Sequence, residues 1–371
     1  MLPILGILGG GQLARMTALA ANRLGVSVRV LADHESGTGR AFADITVADW
    51  CDAGVLADWA AGCDAITVES EWAPADALVA AAPGAVVRPG VAPLVTIRHK
   101  GRQRAAFTDA GLPQPDHAWA RTLPQAQAAV TRYGAAVLKR FEGSYDGYGN
   151  ATCRTPADVD AAWEALAADD GLLVESFVDF RAEAAVTVAR RPGGQAAVYP
   201  AVRSEHRDHR LWAATAPADL GDAAEAEARR VALATVAALD LTGVATVELF
   251  VVGDAVLVNE VAPRPHNTAH LTIDASHTSQ FENHVRAVLD WPLGEPGLRV
   301  PAACMVNVLG DREGDTAPEI GDALAVPGAS VHLYGKDTVR PQRKMGHVTV
   351  TADDAATARD RAEAAAAAIR L

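Results

Sequence analysis

The chain opens with short apolar runs that alternate with segments of helical periodicity. Residues 3–8 are apolar and end in three glycines, and residues 12–24 repeat apolar positions at helical spacing up to Gly25. Three further strands are predicted, at residues 26–32, 65–69 and 85–88. Strand, helix and strand in repeated order predict a doubly wound parallel sheet, which binds ligands at the carboxyl ends of its strands. We place this α/β domain at residues 1–95.

The rest of the chain mixes helices and strands. A polar, basic helix is predicted at residues 96–110, before the linker GLPQP. A small unit follows, with strands at 135–140 and 172–177 and a helix at 157–168 that Pro156 opens. Beyond it we predict strands at 184–189, 196–201, 244–251 and 255–259 and helices at 223–239 and 279–289. The alanine-rich tail is expected to be a surface helix.

Composition narrows the classes of function. With 371 residues the chain is long enough for two or three domains. Its formal charge of −13 argues against a nucleic-acid partner. We expect no membrane partner either, because no apolar stretch approaches the roughly 20 residues that cross a bilayer. The start, MLPILGILGGG, lacks the basic residues of a secretion signal. Four scattered cysteines without C-x-x-C spacing suit a reducing compartment and make a zinc site unexpected.

The first glycine turn has three interpretations. GILGGGQLA contains G-x-G-x-x-A between a strand and a helix, and Asp33 ends the next strand about twenty residues later. This geometry suits a dinucleotide, as in a nicotinamide-dependent dehydrogenase. We favour another phosphate-bearing ligand over a dinucleotide, and glycines that only allow close helix–sheet packing are the third interpretation. The motif alone does not choose, and the densest chemistry lies elsewhere in the chain.

Residues 247–270 form the densest group of polar side chains. Glu248 lies on one predicted strand, and Asn259 and Glu260 end the next, after a Gly253-Asp254 turn. Such a hairpin can place the two carboxylates side by side, where they repel unless they are protonated or bridged by cations. Magnesium joined to substrate phosphates is the usual bridge. Three residues follow that suit a small planar anion: Arg264 supplies a fixed cation, and His266 and Asn267 supply hydrogen-bond donors. The alternative is a charged surface hairpin.

Two further segments suit phosphate groups. LKRFEGSYDGYGN places Lys139 on a strand before a glycine loop that could close over a nucleoside triphosphate, although it is not a Walker A loop. VESFV, at 174–178, resembles a strand edge where adenine could bind. A basic cluster near the C-terminus indicates a phosphate clamp, and it contains Lys336, Arg340, Arg343 and Lys344. A glycine-rich hairpin and a solvated basic loop are the structural alternatives.

Together these motifs resemble the N(5)-carboxyaminoimidazole ribonucleotide synthase family, ATP-grasp enzymes of de novo purine biosynthesis that form the ATPase subunit of phosphoribosylaminoimidazole carboxylase. The resemblance covers nearly the whole chain, through GILGGGQLARM, YDGYGN, NEVAPRPHN, TSQFENHVRAV, YGK and RPQRKMGHVTV. It implies an N-terminal substrate-binding domain (1–95), a linker helix with a central ATP-grasp lobe (96–180) and a larger mixed α+β ATP-grasp lobe (181–371). It also implies a cytoplasmic homodimer.

The resemblance implies roles for individual residues. ATP would be held by Lys100, Lys139, Glu175, Phe177, Val178, Glu183 and Asn259. Magnesium, or manganese, would be bound by Glu248 and Glu260. Bicarbonate would be cradled by Arg264, His266 and Asn267, and either Asp146 or His266 would handle the amine proton. The substrate 5-aminoimidazole ribonucleotide would meet Gly11, Gln12, Glu71, Tyr145, Asp146, Lys336, Arg343 and Lys344.

The sequence also departs from the family pattern. Tyr148 replaces a basic residue of the glycine loop, and His99-Lys100 stands where an Asp-Arg or Asp-Lys pair is common. Glu69-Ser-Glu71-Trp replaces E-F-E-N, and Asn267-Thr-Ala-His replaces N-S-G-H. These departures motivate an alternative, a paralogue that carboxylates or acylates another small amine. A non-catalytic ATP-binding protein is a further alternative, although it would have no physical need for paired carboxylates.

Overall fold

The computed structural model describes residues 2–42, 44–143, 148–166 and 170–371. The first part of the chain forms four parallel strands: β1 Ile4–Leu8, β2 Ser27–Ala32, β3 Ile45–Val47 and β4 Ala65–Val68. Their order is β3-β2-β1-β4. The helices between and after them are α1 Gln12–Arg23, α2 Ala53–Ala60, α3 Ala75–Ala81 and α4 Val91–Arg98. The predicted doubly wound parallel sheet is therefore confirmed.

Two details of this sheet differ from the prediction. The segment 85–88 contributes only one parallel bridge, between Val87 and Ile66, and is not a full strand. The short strand β3 was not predicted, because three residues are too few to display a period. It nevertheless forms the edge of the sheet beside β2. Central β1 reads as a continuous apolar run because both of its faces are covered.

The continuous helix predicted for residues 96–110 is wrong. The chain forms α4 and then a second helix, α5 Lys100–Asp109, with His99 between them in an extended conformation (φ −107°, ψ 106°). The His99 side chain accepts a hydrogen bond from the Arg102 backbone N–H at 3.2 Å, as an N-cap does. Residues 98–104 are polar apart from Gly101, so no apolar period reveals the break.

The central lobe is a four-stranded antiparallel sheet. Its strands are β5 His117–Ala120, β6 Ala136–Arg140, β7 Asn150–Cys153 and β8 Leu172–Ser176, in the order β5-β8-β6-β7. Helices α6 Leu123–Tyr133 and α7 Asp158–Ala165 pack on one face through an apolar core. Strands β6 and β8 and helix α7 match the predicted elements, whereas α6 was not predicted. Because β8 lies beside β6, the first three residues of the predicted adenine segment (174–176) lie next to the strand that carries Lys139.

The C-terminal lobe is built on a large antiparallel sheet. Its strands are β9 Ala182–Arg190, β10 Ala196–Val198, β11 Val202–Arg207, β12 Arg210–Ala216, β13 Gly243–Val252, β14 Ala255–Ala262, β15 Ala302–Leu309, β17 Ala329–Leu333 and β19 Lys344–Ala352. The order is β14-β13-β9-β11-β12-β15-β19-β17, with β10 beside β9. A separate small pair joins β16 Gly314–Asp315 to β18 Thr338–Val339.

Helices cover this sheet. They are α8 Asp222–Ala238, α9 Thr272–Ala275, α10 Gln280–Val288, α11 Gly321–Leu324 and α12 Ala355–Ala367. Helix α8 packs on β9, β13 and β14, and α12 packs on β15 and β19. The tail helix is therefore not only a surface helix, because its alanines at 358, 362, 365 and 366 are buried. The small side chain of alanine lets the helix approach the sheet closely.

Candidate active site

Two carboxylates face each other at the centre of the site. Glu248 on β13 pairs directly with Glu260 on β14, next to a bulge between Glu248 and Leu249. The strands are joined by the two-residue turn Gly253-Asp254, and Gly253 has the positive φ (59°) that such turns favour. The hairpin and the side-by-side placement predicted from the sequence are confirmed.

The two carboxylates lie in different electrostatic environments, which shift their pKa values in opposite directions. Burial, reinforced by the charge of Glu260, raises the pKa of Glu248 to about 7. Lys100, whose ammonium contacts Glu260, holds the pKa of Glu260 well below its usual range despite burial. Glu260 therefore holds its negative charge more securely than Glu248, and the Lys100 cation balances it.

A buried ion network lies beside this pair. The Lys139 ammonium is 2.7 Å from Glu175 and donates to the Asn259 side chain at 3.3 Å. Arg104 also binds Glu175, at 2.5 Å, and donates to the backbone oxygens of Val258 and Asn259, both at 2.7 Å. Burial opposes a charge on Glu175, but Lys139 and Arg104 outweigh it and lower its pKa to about 2. Burial dominates for Lys139 and lowers its pKa.

This network refines the predicted adenine segment. The Glu175 carboxylate is committed to two cations, so the nucleotide would meet the backbone of this segment rather than that side chain. Phe177 and Val178 follow the end of β8, and Phe177 is exposed. Arg104 was not predicted. Its position four residues after Lys100, on the same face of α5, is the signal that could have identified it.

Glu183 lies on β9 and pairs with a histidine that was not predicted. Its carboxylate is 2.9 Å from Nδ1 of His206, near the end of β11. Burial would lower the pKa of His206, but Glu183 and Glu248 reverse the shift and raise it. His206 therefore joins the predicted ribose contact to the carboxylate pair.

The segment after β14 supplies a histidine of fixed tautomer. His266 Nδ1 lies 2.9 Å from the Thr268 hydroxyl and accepts from the Thr268 backbone N–H, so Nε2 carries the proton and faces Glu248 at 3.2 Å. Burial, followed by the charges of Arg264 and Lys344, lowers the pKa of His266 to about 3. The Gln280 side chain fixes this segment by bonding both the N–H and the C=O of His266 at 2.8 Å.

Asn267 presents an amide without a partner among the residues that the structure describes. Both its Nδ2 and its Oδ1 are shielded from solvent and form no hydrogen bond within the described parts of the chain. Leaving a buried amide unpaired costs on the order of 1–3 kcal/mol, so such groups are normally satisfied by water or a ligand. The structure thus brings together Arg264, His266 and Asn267 as predicted, and gives Asn267 a reason to bind a small polar molecule.

Arg264 is bound by a carboxylate of the N-terminal domain. Its Nε donates to Glu71 at 2.8 Å, across 193 residues of sequence. Burial alone would raise the pKa of Glu71, but the Arg264 guanidinium outweighs it and the net shift is downward. Glu71 therefore contacts the site through Arg264. In the predicted substrate contact, the Glu71 carboxylate would bind both the substrate and the Arg264 guanidinium.

The glycine turn binds a carboxylate of the protein itself. Glu69 accepts from the backbone N–H of Gly11 at 2.5 Å and of Leu13 at 3.1 Å, at the start of α1. A Cβ atom on Gly9 or Gly11 would collide with the Glu69 side chain. Glu69 was not predicted, because its partners lie 58 and 56 residues earlier in the chain. The position where a dinucleotide phosphate would bind is occupied, which argues against the dehydrogenase interpretation.

The basic cluster faces this turn. The Lys336 ammonium donates to the Lys344 backbone oxygen at 2.6 Å, and Arg343 donates to Thr338 at 2.9 Å. Burial, with the charges of Arg343 and Lys344, lowers the pKa of Lys336 to about 8, while Glu69 opposes the shift. The charges of Arg343 and Lys344 thus act on Lys336, so the three cations form one cluster. Tyr145 and Asp146 lie outside the described residues, and Tyr148 is largely exposed.

Three family models match the chain. Residues 2–98 match the ribonucleotide synthetase preATP-grasp domain, and residues 105–281 match the ATP-grasp domain. Residues 303–361 match the phosphoribosylaminoimidazole carboxylase C-terminal domain. No helix within the described ranges is long and apolar enough to span a membrane.

Individual proteins match over almost their whole length. A protein of Synechococcus elongatus named N5-carboxyaminoimidazole ribonucleotide synthase is 38% identical over 350 residues, which are 93% of this chain and 88% of that protein. The crystal structure of the synthetase from Thermus thermophilus is 35% identical, with a TM-score of 0.88 and 96% of each chain covered. The synthase from Aspergillus clavatus, solved with ADP and 5-aminoimidazole ribonucleotide, is 31% identical, with a TM-score of 0.89 and 98% of each chain covered.

Proposed function

The chain belongs to the N5-carboxyaminoimidazole ribonucleotide synthase family of ATP-grasp ligases, and we propose that it catalyses the ATP-dependent carboxylation of 5-aminoimidazole ribonucleotide with bicarbonate. The products are N5-carboxyaminoimidazole ribonucleotide, ADP and phosphate. The observation that carries this proposal is the Glu248–Glu260 pair, which lysines approach from α5 and β6. The nearby segment after β14 adds the Asn267 amide, which has no hydrogen-bond partner among the described residues.

The nucleotide would lie between the central and C-terminal lobes. Lys100 and Lys139 reach the carboxylate hairpin from α5 and β6, so they would meet the ATP phosphates there. Glu183 with His206 would hold the ribose, and the backbone beyond Glu175 would hold adenine. In this arrangement the lysines exchange part of their contact with carboxylates for contact with phosphate oxygens.

Bicarbonate would bind between Arg264, His266 and Asn267. A bicarbonate oxygen attacks the γ-phosphorus of ATP in line, ADP leaves, and carboxyphosphate forms. The substrate amine then attacks the carboxyl carbon, or CO2 released from it, and phosphate departs. His266 is neutral and both of its nitrogens are engaged, which supports a binding role for it and leaves Asp146 as the better candidate for the amine proton.

The donors present fit a magnesium ion, or manganese. Glu248, Glu260 and Asn259 offer oxygen atoms, and a hard cation that also binds phosphate needs few protein ligands. When bound, such an ion supplies positive charge to the phosphate oxygens. The protein contributes the two partly exposed carboxylates, and Lys100 balances the charge of Glu260.

The ribonucleotide would lie between the glycine turn and the basic cluster. Lys336, Arg343 and Lys344 would bind its phosphate. The family resemblance assigns Tyr145 and Asp146, which lie outside the described residues, to the same ligand. Gly11 and Gln12 would face it at the start of α1, beside Glu69. Glu71 would contact it while it holds Arg264.

Oxygen-18 transfer tests the bicarbonate step. Turnover with ¹⁸O-labelled bicarbonate, ATP and 5-aminoimidazole ribonucleotide should give inorganic phosphate that carries one labelled oxygen, because the attacking bicarbonate oxygen stays on phosphorus. Mass spectrometry of the phosphate reads the label. Phosphate without label in a reaction that forms product would refute attack by bicarbonate on ATP.

Assembly and location extend the proposal. We expect a homodimer in the cytoplasm, as the family resemblance implies. Four free cysteines, at positions 51, 63, 153 and 304, support a reducing compartment. Analytical ultracentrifugation should give twice the 38.6 kDa chain mass, and a monomer at micromolar concentration would contradict the dimer.

A further inference from the structure

The break between α4 and α5 places a histidine at the start of the helix that carries two site cations. His99 precedes Lys100, the first residue of α5, and its Nδ1 accepts from the Arg102 N–H at 3.2 Å. Such a cap satisfies one of the unpaired N–H groups of a helix start. Lys100 contacts Glu260, and Arg104, one turn later, binds Glu175. The conformation at His99 therefore sets where both cations point.

Aromatic rings tie this cap to the central lobe. The His99 ring stacks on Phe141, with centroids 4.8 Å apart and an angle of 20° between the planes. Trp119 of β5 completes the cluster, 6.0 Å from His99 and 5.4 Å from Phe141. Gly101 makes room for it, since a Cβ atom there would lie 2.7 Å from the Trp119 ring and 3.0 Å from Phe141.

The same cluster lies at the base of the glycine loop. Phe141 directly follows β6, the strand of Lys139, and its backbone oxygen accepts from the Lys100 N–H at 2.8 Å. The first turn of α5 is thus bonded to the end of β6 through the backbone and through the His99–Phe141 stack. Lys100 and Lys139, on two different elements, are held in a fixed relation by this junction.

We propose that His99 is a positioning residue for ATP binding, which caps α5 through an unprotonated Nδ1 and thereby fixes Lys100 against the phosphate site. This rests on the proposed function, in which Lys100 meets ATP. Protonation turns Nδ1 into a donor and removes the cap, so the cap makes ATP affinity depend on pH.

The groups that face His99 determine its pKa, and with it the pH range in which ATP affinity should change. Burial is the largest influence and lowers the pKa of His99, and the cation of Arg102 on α5 adds to it. Glu142, just after β6, acts in the opposite direction and raises the pKa. Trp119 and Phe141 contribute uncharged rings. The net shift is downward, so the cap is complete at neutral pH and is lost in acid.

Three substitutions separate the cap from the stack. His99→Asn keeps a capping oxygen without the ring, His99→Phe keeps the ring without the cap, and His99→Ala removes both. His277→Asn is the matched control, an exposed histidine away from the site. The dissociation constant of ATP with magnesium is measured by calorimetry between about pH 5.5 and 8, next to that of wild type, and turnover is recorded separately.

At pH 7.5 we expect His99→Phe and His99→Ala to weaken ATP binding about fivefold, while His99→Asn and His277→Asn stay within about twofold of wild type. In acid, wild type and His277→Asn should lose affinity more steeply than His99→Asn, whose cap does not titrate. Wild-type affinity in His99→Phe, or equal losses in His99→Asn and His99→Ala, would overturn the proposal. Because binding is read without the ribonucleotide, tight ATP binding without carboxylation would count against the proposed function alone.

Discussion

At the scale of single residues, the site is organised as cations held by carboxylates. Lys100 contacts Glu260, Lys139 and Arg104 share Glu175, and Arg264 binds Glu71. Buried charges are tolerated only when they are paired, so these contacts allow the positive charges to be present before an anion arrives. Preorganised charge of this kind stabilises charge that develops in a reaction at little reorganisation cost.

Loss of Glu175 should show how strongly the protein depends on this pairing. Glu175→Gln leaves Arg104 and Lys139 buried with a neutral partner, and we expect a stability loss of about 3–5 kcal/mol. Glu227→Gln is the control, because Glu227 pairs with Arg230 on the exposed face of α8, and we expect a change within about 0.5 kcal/mol. Urea unfolding measures both. Equal, small losses would mean that the buried network contributes little to folding.

Lys336 should make recognition of the ribonucleotide sensitive to alkaline pH. Its pKa is lowered to about 8, chiefly by burial, so the ammonium is charged below that pH and becomes neutral above it. We therefore expect kcat/KM for the ribonucleotide to fall as the pH rises through about 8, since this parameter reports the free enzyme. In Lys336→Arg the guanidinium stays charged, and this alkaline decline should disappear. A decline that persists unchanged in Lys336→Arg would assign it to another group.

At the scale of secondary-structure elements, local sequence patterns were sufficient to predict single elements. They did not reveal contacts between residues that are distant in sequence. The β13–β14 hairpin could be predicted from its two-residue turn. The register of that turn alone would pair Glu248 with Asn259, and the bulge between Glu248 and Leu249 makes Glu260 the partner instead. The break at His99 could not be predicted, because the polar residues around it form no apolar period that would reveal it. Glu69, Arg104 and His206 also escaped prediction, since each one is defined by a partner that only the folded chain brings near.

The tail helix α12 was predicted to lie on the surface, but it packs on the large sheet, and its buried position can be tested directly. Ala362 is fully buried against the large sheet, whereas Ala367 on the same helix is exposed. Ala362→Asp buries a charge without a partner, and we expect a loss of about 3 kcal/mol or more. Ala367→Asp should change stability by less than about 0.5 kcal/mol. Similar melting temperatures for the two variants would show that α12 lies on the surface without packing on β15 and β19.

At the scale of the whole molecule, all three parts of the chain supply the site. Glu69 and Glu71 come from the N-terminal domain, Lys139 from the central lobe, and Glu248 from the C-terminal lobe. The formal charge of −13 makes the basic cluster at Lys336 exceptional. Specific anions therefore bind to local cations within an acidic protein, and general affinity for nucleic acid is not expected.

ADP release under single omissions tests the central claim most directly. Purified protein is assayed with ATP, magnesium, bicarbonate and 5-aminoimidazole ribonucleotide, and each component is left out in turn. We predict rapid ADP release only in the complete mixture, with a large fall when either bicarbonate or the ribonucleotide is absent. A rate that is unchanged without bicarbonate or without the ribonucleotide would contradict the proposal that this chain carboxylates 5-aminoimidazole ribonucleotide.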